Sequence, residues 1–241
     1  MEDILYYIFG FLQIYDFVNC MAVCKIFYNI CNNQTLWKNL FIRDYKDTKY
    51  FEMDYYKTYK LYHKLNKLHK SIKYEKYLDC MYEAEIIDLS NRGLVNAPSE
   101  LCELINLKVL DLYKNKLEIL PPNIGNLINL EEIYLFKNQL TTIPIGFGKL
   151  CNLKRLYLDN NKLVKFPSVL TQLYNLQELF LSNNNLVKIS SKIGKLKNLI
   201  QLYLDHNNLI KIPSELGQLC KLRVLFLQHN KIELVPLPKS P

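Results

Sequence analysis

Two histidines and a neighbouring aspartate are the residues of this sequence that come nearest to a metal-binding set. His206 and His229 are 23 residues apart, and Asp205 directly precedes the first of them. Imidazole nitrogens and carboxylate oxygens are ordinary zinc ligands, so the three side chains could hold a metal ion weakly. Two exposed polar side chains in equivalent positions explain the same pattern. We favour that interpretation and expect no metal site and no cofactor.

The cysteines and the known catalytic motifs give no sign of an enzyme. The seven cysteines are scattered, and an odd number fits reduced thiols in the cytoplasm, with the nucleus equally compatible. None has the CxxC spacing of a zinc site or an evident histidine or acidic partner to activate it as a nucleophile. Motifs for phosphate loops, dinucleotide binding, zinc proteases and nucleophile elbows are absent. We therefore expect no catalytic residue.

Aromatic side chains are the residues best suited to a function, which would be protein binding. Rings recur every 23 residues in five successive positions. Rings beside charged side chains are typical of binding hot spots, although rings at such a spacing also stack along a sheet without any partner. The predicted target-binding residues are Tyr113, Tyr134, Phe136, Arg155, Tyr157, Asp159, Phe180, Tyr203 and Phe226.

A 23-residue repeat must position these rings. Leucines at the fourth and sixth positions of each unit alternate with other residues, which predicts a short strand with one buried face. Asparagine at the ninth position is expected to bond to the backbone inside a tight turn. Proline at the fifteenth predicts an extended convex return rather than a long helix. The units are 84–106, 107–129, 130–152, 153–175, 176–198, 199–221 and 222–238.

By its period and residue types, the unit resembles the leucine-rich repeat. One such unit cannot bury its own apolar stripe, so the units stack and their strands pair in parallel, about 4.8 Å apart. The predicted fold is an α/β solenoid, a horseshoe with a parallel sheet on its concave face. The last unit lacks its convex apolar positions, so an open edge and weak self-association are expected there.

Residues 1–48 carry a different apolar pattern and are expected to form a small three-helix domain. A first helical face carries Ile4, Leu5, Ile8, Phe9 and Leu12. Two more short helices are predicted, the second of which ends near Asn33. After it, the large apolar side chain of Trp37 is expected to pack into the core. A membrane span here would place Asp16 in the bilayer at a cost of about 3 kcal/mol, so we expect no membrane association.

The same region resembles the F-box family. The resemblance rests on Ile4, Leu5, Ile8, Phe9, Leu12, Asp16, Phe17, Val23, Cys24, Lys25, Phe27, Leu36 and Trp37. Members of this family dock on the Skp adaptor of cullin-RING ubiquitin ligases, and a following repeat domain captures the substrate. The resemblance implies that all of these residues except Lys25 and Leu36 contribute to adaptor binding.

Residues 49–83 form a basic linker and are expected to cap the first repeat. Phe51, Tyr55, Tyr59, Tyr62 and Leu65 recur at helical spacing, and residues 49–77 hold eight lysines against three acidic residues. A second short helix from Ile72 to Met81 is expected to cover the apolar edge of the solenoid. Tyrosines alternating with lysines also suit nucleic-acid binding, but the helical periodicity favours tyrosines that are packed.

Three functions therefore remain open from the sequence. The first is a substrate receptor of a ubiquitin ligase that binds the Skp adaptor and an unidentified target protein. The second is a free-standing repeat scaffold without ligase recruitment, because the Leu-Pro pair that usually opens the F-box motif is absent. The third is nucleic-acid binding through the basic linker, which we rank below the other two.

Overall fold

The protein divides into two compact units, Met1–Tyr82 and Glu83–Pro241. The structure, a computed structural model, describes residues 34–45, 61, 63–68, 70 and 83–233. Within these residues, no helix is long and apolar enough to cross a bilayer.

The described part of the first unit begins with helix α1, Gln34–Tyr45. Trp37 and Leu40 are buried in it, and their spacing of three places them on one face. We did not predict this helix from the sequence, although Leu36, Trp37, Leu40 and Phe41 recur in it at helical spacing. The predicted end of the preceding helix near Asn33 lies outside the described residues. The predicted helices and adaptor-binding residues from Ile4 to Phe27 lie outside the described residues.

The linker is helical where the structure describes it, at residues 61, 63–68 and 70. Leu65 and Leu68 have no exposed surface, while Lys67 and Lys70 are exposed. The predicted amphipathic helix is confirmed in this stretch. The linker tyrosines and the predicted capping helix from Ile72 to Met81 lie outside the described residues.

Seven short strands form one parallel sheet, in which spatial order follows chain order. The strands β1 to β7 are Ile86–Asp88, Val109–Asp111, Glu132–Tyr134, Arg155–Tyr157, Glu178–Phe180, Gln201–Tyr203 and Val224–Phe226. Each residue pairs with its equivalent one unit later, as Leu156 does with Leu179. The register of the sheet is thus the period of the sequence, and the predicted solenoid is confirmed.

The core lies between the sheet and a row of 3-10 helices on the convex side. The middle residue of each strand points into this core, and Leu110, Leu156 and Leu202 have no exposed surface. The convex helices are Ser99–Glu103, Pro122–Asn126, Ile145–Lys149, Ser168–Gln172, Ser191–Lys195 and Ser214–Gln218. An extended residue precedes each helix, such as Pro144 with φ −67° and ψ 151°, so the predicted extended return is confirmed.

Ser190 replaces proline at the fifteenth position of its unit without changing the backbone. Its φ of −67° and ψ of 137° match those of Pro121, which are −62° and 137°. The Ser190 hydroxyl also accepts a hydrogen bond from the Lys192 amide at 3.2 Å, which caps the following helix. In this unit the serine hydroxyl caps the following helix, whereas in the other described units the proline ring fixes the extended backbone at this position.

The ninth-position asparagines are buried in their turns, as predicted. Asn161 is 7% exposed, and its Nδ2 donates to the carbonyls of Leu135 at 2.9 Å and Leu158 at 3.0 Å. Its Oδ1 accepts from the Leu140 amide at 2.9 Å. Equivalent bonds are made by Asn115, Asn138, Asn184, Asn207 and Asn230. Each asparagine therefore joins its own turn to the preceding unit.

A second set of asparagines, which the sequence analysis did not interpret, bonds along the surface. Each of these side chains donates through Nδ2 to a carbonyl of the preceding unit, as Asn152 does to Ile128 at 2.9 Å. The set comprises Asn129, Asn152, Asn175 and Asn198. Recurrence of asparagine at the twenty-third position was the signal that could have identified it.

The eighth position of each unit turns the chain through the left-handed region of backbone space. The φ values lie between 52° and 55° for Asn91, Lys114, Lys137, Asn160, Asn183, His206 and His229. Asparagine adopts this conformation readily, whereas lysine and histidine do so at a cost. These side chains consequently stand at the rim of the sheet.

The last strand forms an open edge. Leu225 and Phe226 are each 39% exposed, whereas Leu202, equivalent to Leu225 one unit earlier, is fully buried. The self-association expected at this edge stays a prediction.

Candidate functional site

The aromatic ladder, formed by Tyr134, Tyr157, Phe180, Tyr203 and Phe226, runs along the surface of the sheet opposite the core. Each ring belongs to the residue after the buried middle position of its strand, so it points away from the core. Successive ring centroids are 4.6, 4.5, 4.4 and 4.9 Å apart, with interplanar angles between 9° and 23°. Because the spacing of paired strands matches the stacking distance of aromatic rings, the five rings form one continuous stack.

A second, shorter aromatic row lies beside the ladder. Tyr113 and Phe136 stack with their centroids 4.1 Å apart, and Phe136 meets Tyr134 edge-on at 6.4 Å. The Lys137 ammonium lies 5.6 Å from the centroid of the Tyr113 ring, within range of a cation–π contact. The sheet thus brings the predicted target-binding residues onto one surface, which is called the inner face below.

Arg155 is held between two glutamates of the neighbouring strands. Its Nη1 donates to Glu132, and its Nε lies 3.8 Å from Oε1 of Glu178. All three side chains are half-buried, so water screens these charges less than on an open surface. Arg155 therefore organises two carboxylates of the sheet.

The tyrosine hydroxyls of the ladder already have partners. Tyr134 donates to Glu132 at 2.7 Å, and this hydrogen bond holds the pKa of the phenol well above its ordinary value. Burial, followed by the nearby charge of Glu178, raises the pKa of Tyr157. Tyr203 bonds to Gln201 at 3.2 Å. The hydroxyls of Tyr134 and Tyr203 are therefore held by side chains of their own strands.

Asp159 is the most perturbed acid on the inner face. Burial raises the pKa of its carboxyl to about 6, and the charge of Asp205 contributes in the same direction. The Ser182 amide donates to Asp159 at 3.0 Å, and the Ser182 hydroxyl donates to Asp205 at 2.5 Å. One serine thus links two carboxylates, and the buried one titrates close to neutral pH.

The inner face is acidic, although the whole chain carries a net charge of +8. The residues that point outward on this face are those at the third, fifth and seventh positions of each unit, such as Arg155, Tyr157 and Asp159. These positions hold one basic residue, Arg155. Their acidic residues are Asp88, Asp111, Glu132, Asp159, Glu178 and Asp205. This segregation was not predicted from the sequence, although it is visible there when the three positions are compared together.

The histidines and cysteines do not form a reactive centre in the part of the chain that the structure describes. The rings of His206 and His229 stack with centroids 4.1 Å apart. Asp205 accepts from Ser182, and no three metal-ligating side chains come together within residues 83–233 or the described helices. Burial raises the pKa of the Cys102 thiol to about 12, which leaves it protonated and inert.

Trp37 is the only predicted adaptor-binding residue whose side chain the structure describes. It has no exposed surface, so it supports its unit from within. Its predicted contact with the adaptor stays a prediction.

Family models match both parts of the chain. The model described as F-box-like matches residues 2–43. Three leucine-rich-repeat models follow: a single repeat at 106–127, two copies at 128–172 and a further repeat model at 174–232. No curated protein matches the sequence.

Solved repeat structures resemble the solenoid. The ectodomain of the plant membrane receptor kinase GASSHO1/SCHENGEN3 from Arabidopsis thaliana, in complex with CASPARIAN STRIP INTEGRITY FACTOR 2, is 34% identical over 56% of this chain, with a TM-score of 0.53. The Arabidopsis receptor kinase HAESA, in complex with the peptide hormone IDA and the co-receptor SERK1, is 33% identical over 61%, with a TM-score of 0.56. A leucine-rich-repeat protein from Leptospira interrogans is 25% identical over 68%, with a TM-score of 0.43.

The match spans only 17%, 26% and 60% of the GASSHO1/SCHENGEN3, HAESA and Leptospira chains, respectively, so the likeness concerns their repeats. The seven-stranded parallel sheet and the repeat models identify the same part of the sequence. The chain consists of an F-box-like domain at its amino terminus followed by a solenoid of leucine-rich repeats, a combination with a role in protein interaction.

Proposed function

We propose that this chain is the substrate-receptor subunit of a cullin-RING ubiquitin ligase. The observation that carries the proposal is the F-box-like match at residues 2–43 beside a solenoid with an open aromatic inner face. The F-box-like domain docks on the Skp adaptor, and the solenoid captures a target protein. The chain performs no catalysis itself and accelerates transfer by bringing the target close to the catalytic subunits.

The chemistry of the inner face indicates what kind of target it binds. Stacked rings provide apolar area, and the carboxylates around them favour a segment that carries lysine or arginine. The stem of such a side chain packs on a ring, while its charge meets Asp159 or Asp205. The two plant receptor structures similar to this solenoid hold a peptide hormone or a protein factor, which supports a protein target.

The adaptor-binding half of the proposal is tested by co-purification with the Skp adaptor. Changing Leu5→Asp together with Phe9→Asp places two charges on an apolar helical face. We expect adaptor capture to be lost, because each buried apolar side chain contributes about 1.5–3 kcal/mol. The solenoid should melt as in the parent chain, since its units fold through contacts with their neighbours.

The target-binding half is tested with Tyr157→Ala together with Phe180→Ala. This variant removes the centre of the ladder, so proteins captured by the parent chain should be lost while the adaptor is retained. Tyr174→Ala is the matched control, because Tyr174 is 58% exposed and lies outside the ladder. If the parent chain never captures the Skp adaptor but still captures protein targets, the free-standing scaffold replaces the ligase receptor.

A further inference from the structure

A second surface, away from the inner face, combines exposed lysines with exposed branched apolar side chains. It lies where the chain leaves the asparagine turn of the fourth, fifth and sixth units and heads for the convex side. The residues at these twelfth and thirteenth positions, called the flank surface below, are Val164, Lys165, Val187, Lys188, Ile210 and Lys211.

Backbone pairing holds the flank surface in register. The amide of Val187 donates to the carbonyl of Val164, and the amide of Ile210 donates to that of Val187, each at 3.3 Å. Lys188 and Lys211 form an isolated parallel bridge. Equivalent side chains therefore recur at about 4.8 Å, which produces a lysine column beside an apolar column.

The lysine column has no compensating charge. Lys165, Lys188 and Lys211 are exposed, and among the described residues none of them meets a carboxylate. Two other lysines of the solenoid do meet a carboxylate: Lys108 contacts Glu85 at 2.6 Å, and Lys154 contacts Glu131 at 2.7 Å. Like charges side by side on paired strands destabilise a sheet, so an anionic partner would relieve this repulsion.

The column is not a requirement of the repeat. The second and third units fold in the same way with Ile119 and Thr142 at the thirteenth position. The three lysines therefore give the fourth, fifth and sixth units a local property that the fold does not demand.

Two open grooves adjoin the columns and share Val164, Lys165 and Phe166. The first has a volume of about 490 Å3 and includes Ile145, which is 85% exposed. The second has a volume of about 520 Å3 and continues along Val187 to Ile189. Val164, between the two, is half exposed. Apolar side chains of a partner would find room beside Lys165 and Lys188.

We propose that the flank surface binds an extended acidic segment of a partner protein, in which glutamate or aspartate alternates with apolar residues. Side chains of an extended segment alternate in direction. One set therefore reaches the lysine column while the other enters the grooves. Nucleic acid fits less well, because the flank surface has no exposed ring on which bases could stack, and Phe166 is only 8% exposed. This site is separate from the inner face and does not depend on adaptor binding.

The test uses the full chain and a fluorescent peptide of about eight residues that alternates glutamate and leucine, which is more than long enough to reach from the first to the third lysine, about 10 Å apart. Binding is followed by fluorescence anisotropy at physiological salt. Lys165→Glu together with Lys188→Glu should weaken binding about tenfold or more, because two charge-assisted contacts become repulsive. Lys149→Glu together with Lys195→Glu is the matched control, since these lysines are exposed on convex helices and the charge change is the same. The control should bind like the parent.

A second pair of variants tests the apolar column. Val164→Ser together with Val187→Ser should also weaken the peptide about tenfold, whereas a peptide with serine in place of leucine should bind poorly to every form. The proposal is overturned if the parent chain does not bind the peptide or if the two lysine pairs lose affinity equally. It is also overturned if a single-stranded oligonucleotide binds the flank lysines more tightly than the peptide.

Discussion

At the residue scale, one asparagine per unit holds neighbouring units together. Asn161 bonds to three buried backbone groups in two units, because its amide both donates two hydrogen bonds and accepts one. Leucines provide the burial, but they do not fix the path of the turn. The asparagine therefore fixes the path of the turn, which the leucines do not.

Replacing Asn161 with leucine should destabilise the solenoid by about 1–3 kcal/mol, because buried carbonyls and an amide lose their partners. Urea unfolding followed by circular dichroism measures the change. Asn152→Leu is the control: its amide makes a similar bond at an exposed position, so water replaces the lost group and the cost should stay below about 1 kcal/mol. Equal costs for the two variants would contradict a special role for the buried asparagines.

Lysine at an eighth position stores a small amount of strain. Lys114 has a φ of 53°, whereas asparagine occupies the equivalent positions 160 and 183. Lys114→Asn should therefore stabilise the solenoid by about 0.5–1 kcal/mol, since asparagine visits the left-handed region more readily. Thermal melting compares it with Lys116→Asn, an exposed neighbour that is not among the residues with positive φ. If only Lys116→Asn raised the melting temperature, backbone strain at Lys114 would be excluded as the cause.

At the element scale, the sheet converts a sequence period into a row of interacting side chains. Ring stacking, the Glu132–Arg155 pair and the Ser182 link between two aspartates all join residues of different strands. None of these contacts exists within one unit. The inner face therefore forms only when the strands are paired, and its acids are desolvated by that assembly.

Asp159 should make the stability of the solenoid depend on pH in a characteristic direction. Its pKa of about 6 lies above the ordinary value of 3.8, so the folded state binds the proton more tightly. The stability that this group contributes is complete below about pH 4 and is lost as the pH rises through about 6. Asp159→Asn should remove this loss and raise the free energy of unfolding at pH 7 by on the order of 2 kcal/mol.

Urea titrations of the parent chain and the Asp159→Asn variant at several pH values measure the difference between their profiles. The two curves should converge near pH 4 and separate towards pH 7. Asp159→Glu, which keeps the charge, should not flatten the profile. Parallel curves over the whole range would contradict a raised pKa.

At the scale of the whole molecule, charge is sorted by surface. The inner face is acidic, while the flank surface is basic, so one solenoid presents opposite charges in two directions. This arrangement allows two partners of different chemistry to bind without competing for the same residues.

The open edge at β7 should allow weak self-association. Leu225 and Phe226 remain 39% exposed where an internal strand would be covered. Sedimentation velocity should show an average mass that rises with protein concentration, because exposed strand edges pair with other chains. Leu225→Glu should suppress this rise, whereas Tyr174→Glu, the same change of charge at an exposed residue away from the edge, should not. A strict monomer in every form would exclude the edge as an interface.

The sequence by itself determined the period and everything that the period controls. A solenoid unit contacts only its neighbours, so a spacing of 23 residues is also the register of the sheet, as the pairing of Tyr157 with Phe180 shows. The position of the buried asparagines, the extended convex return and the alignment of the five rings followed from the same rule. The F-box-like pattern was readable because its apolar residues keep a fixed spacing.

Tertiary structure alone decided the properties that depend on desolvation and on contacts across units. The raised pKa of Asp159 results from burial between strands, which no local pattern reports. Helix α1 was not predicted, although its apolar residues recur at helical spacing, and only the structure shows that Trp37 and Leu40 are buried. The grooves of the flank surface arise only where the convex loops of stacked units meet, because a groove is the space that two separate pieces of chain leave between them.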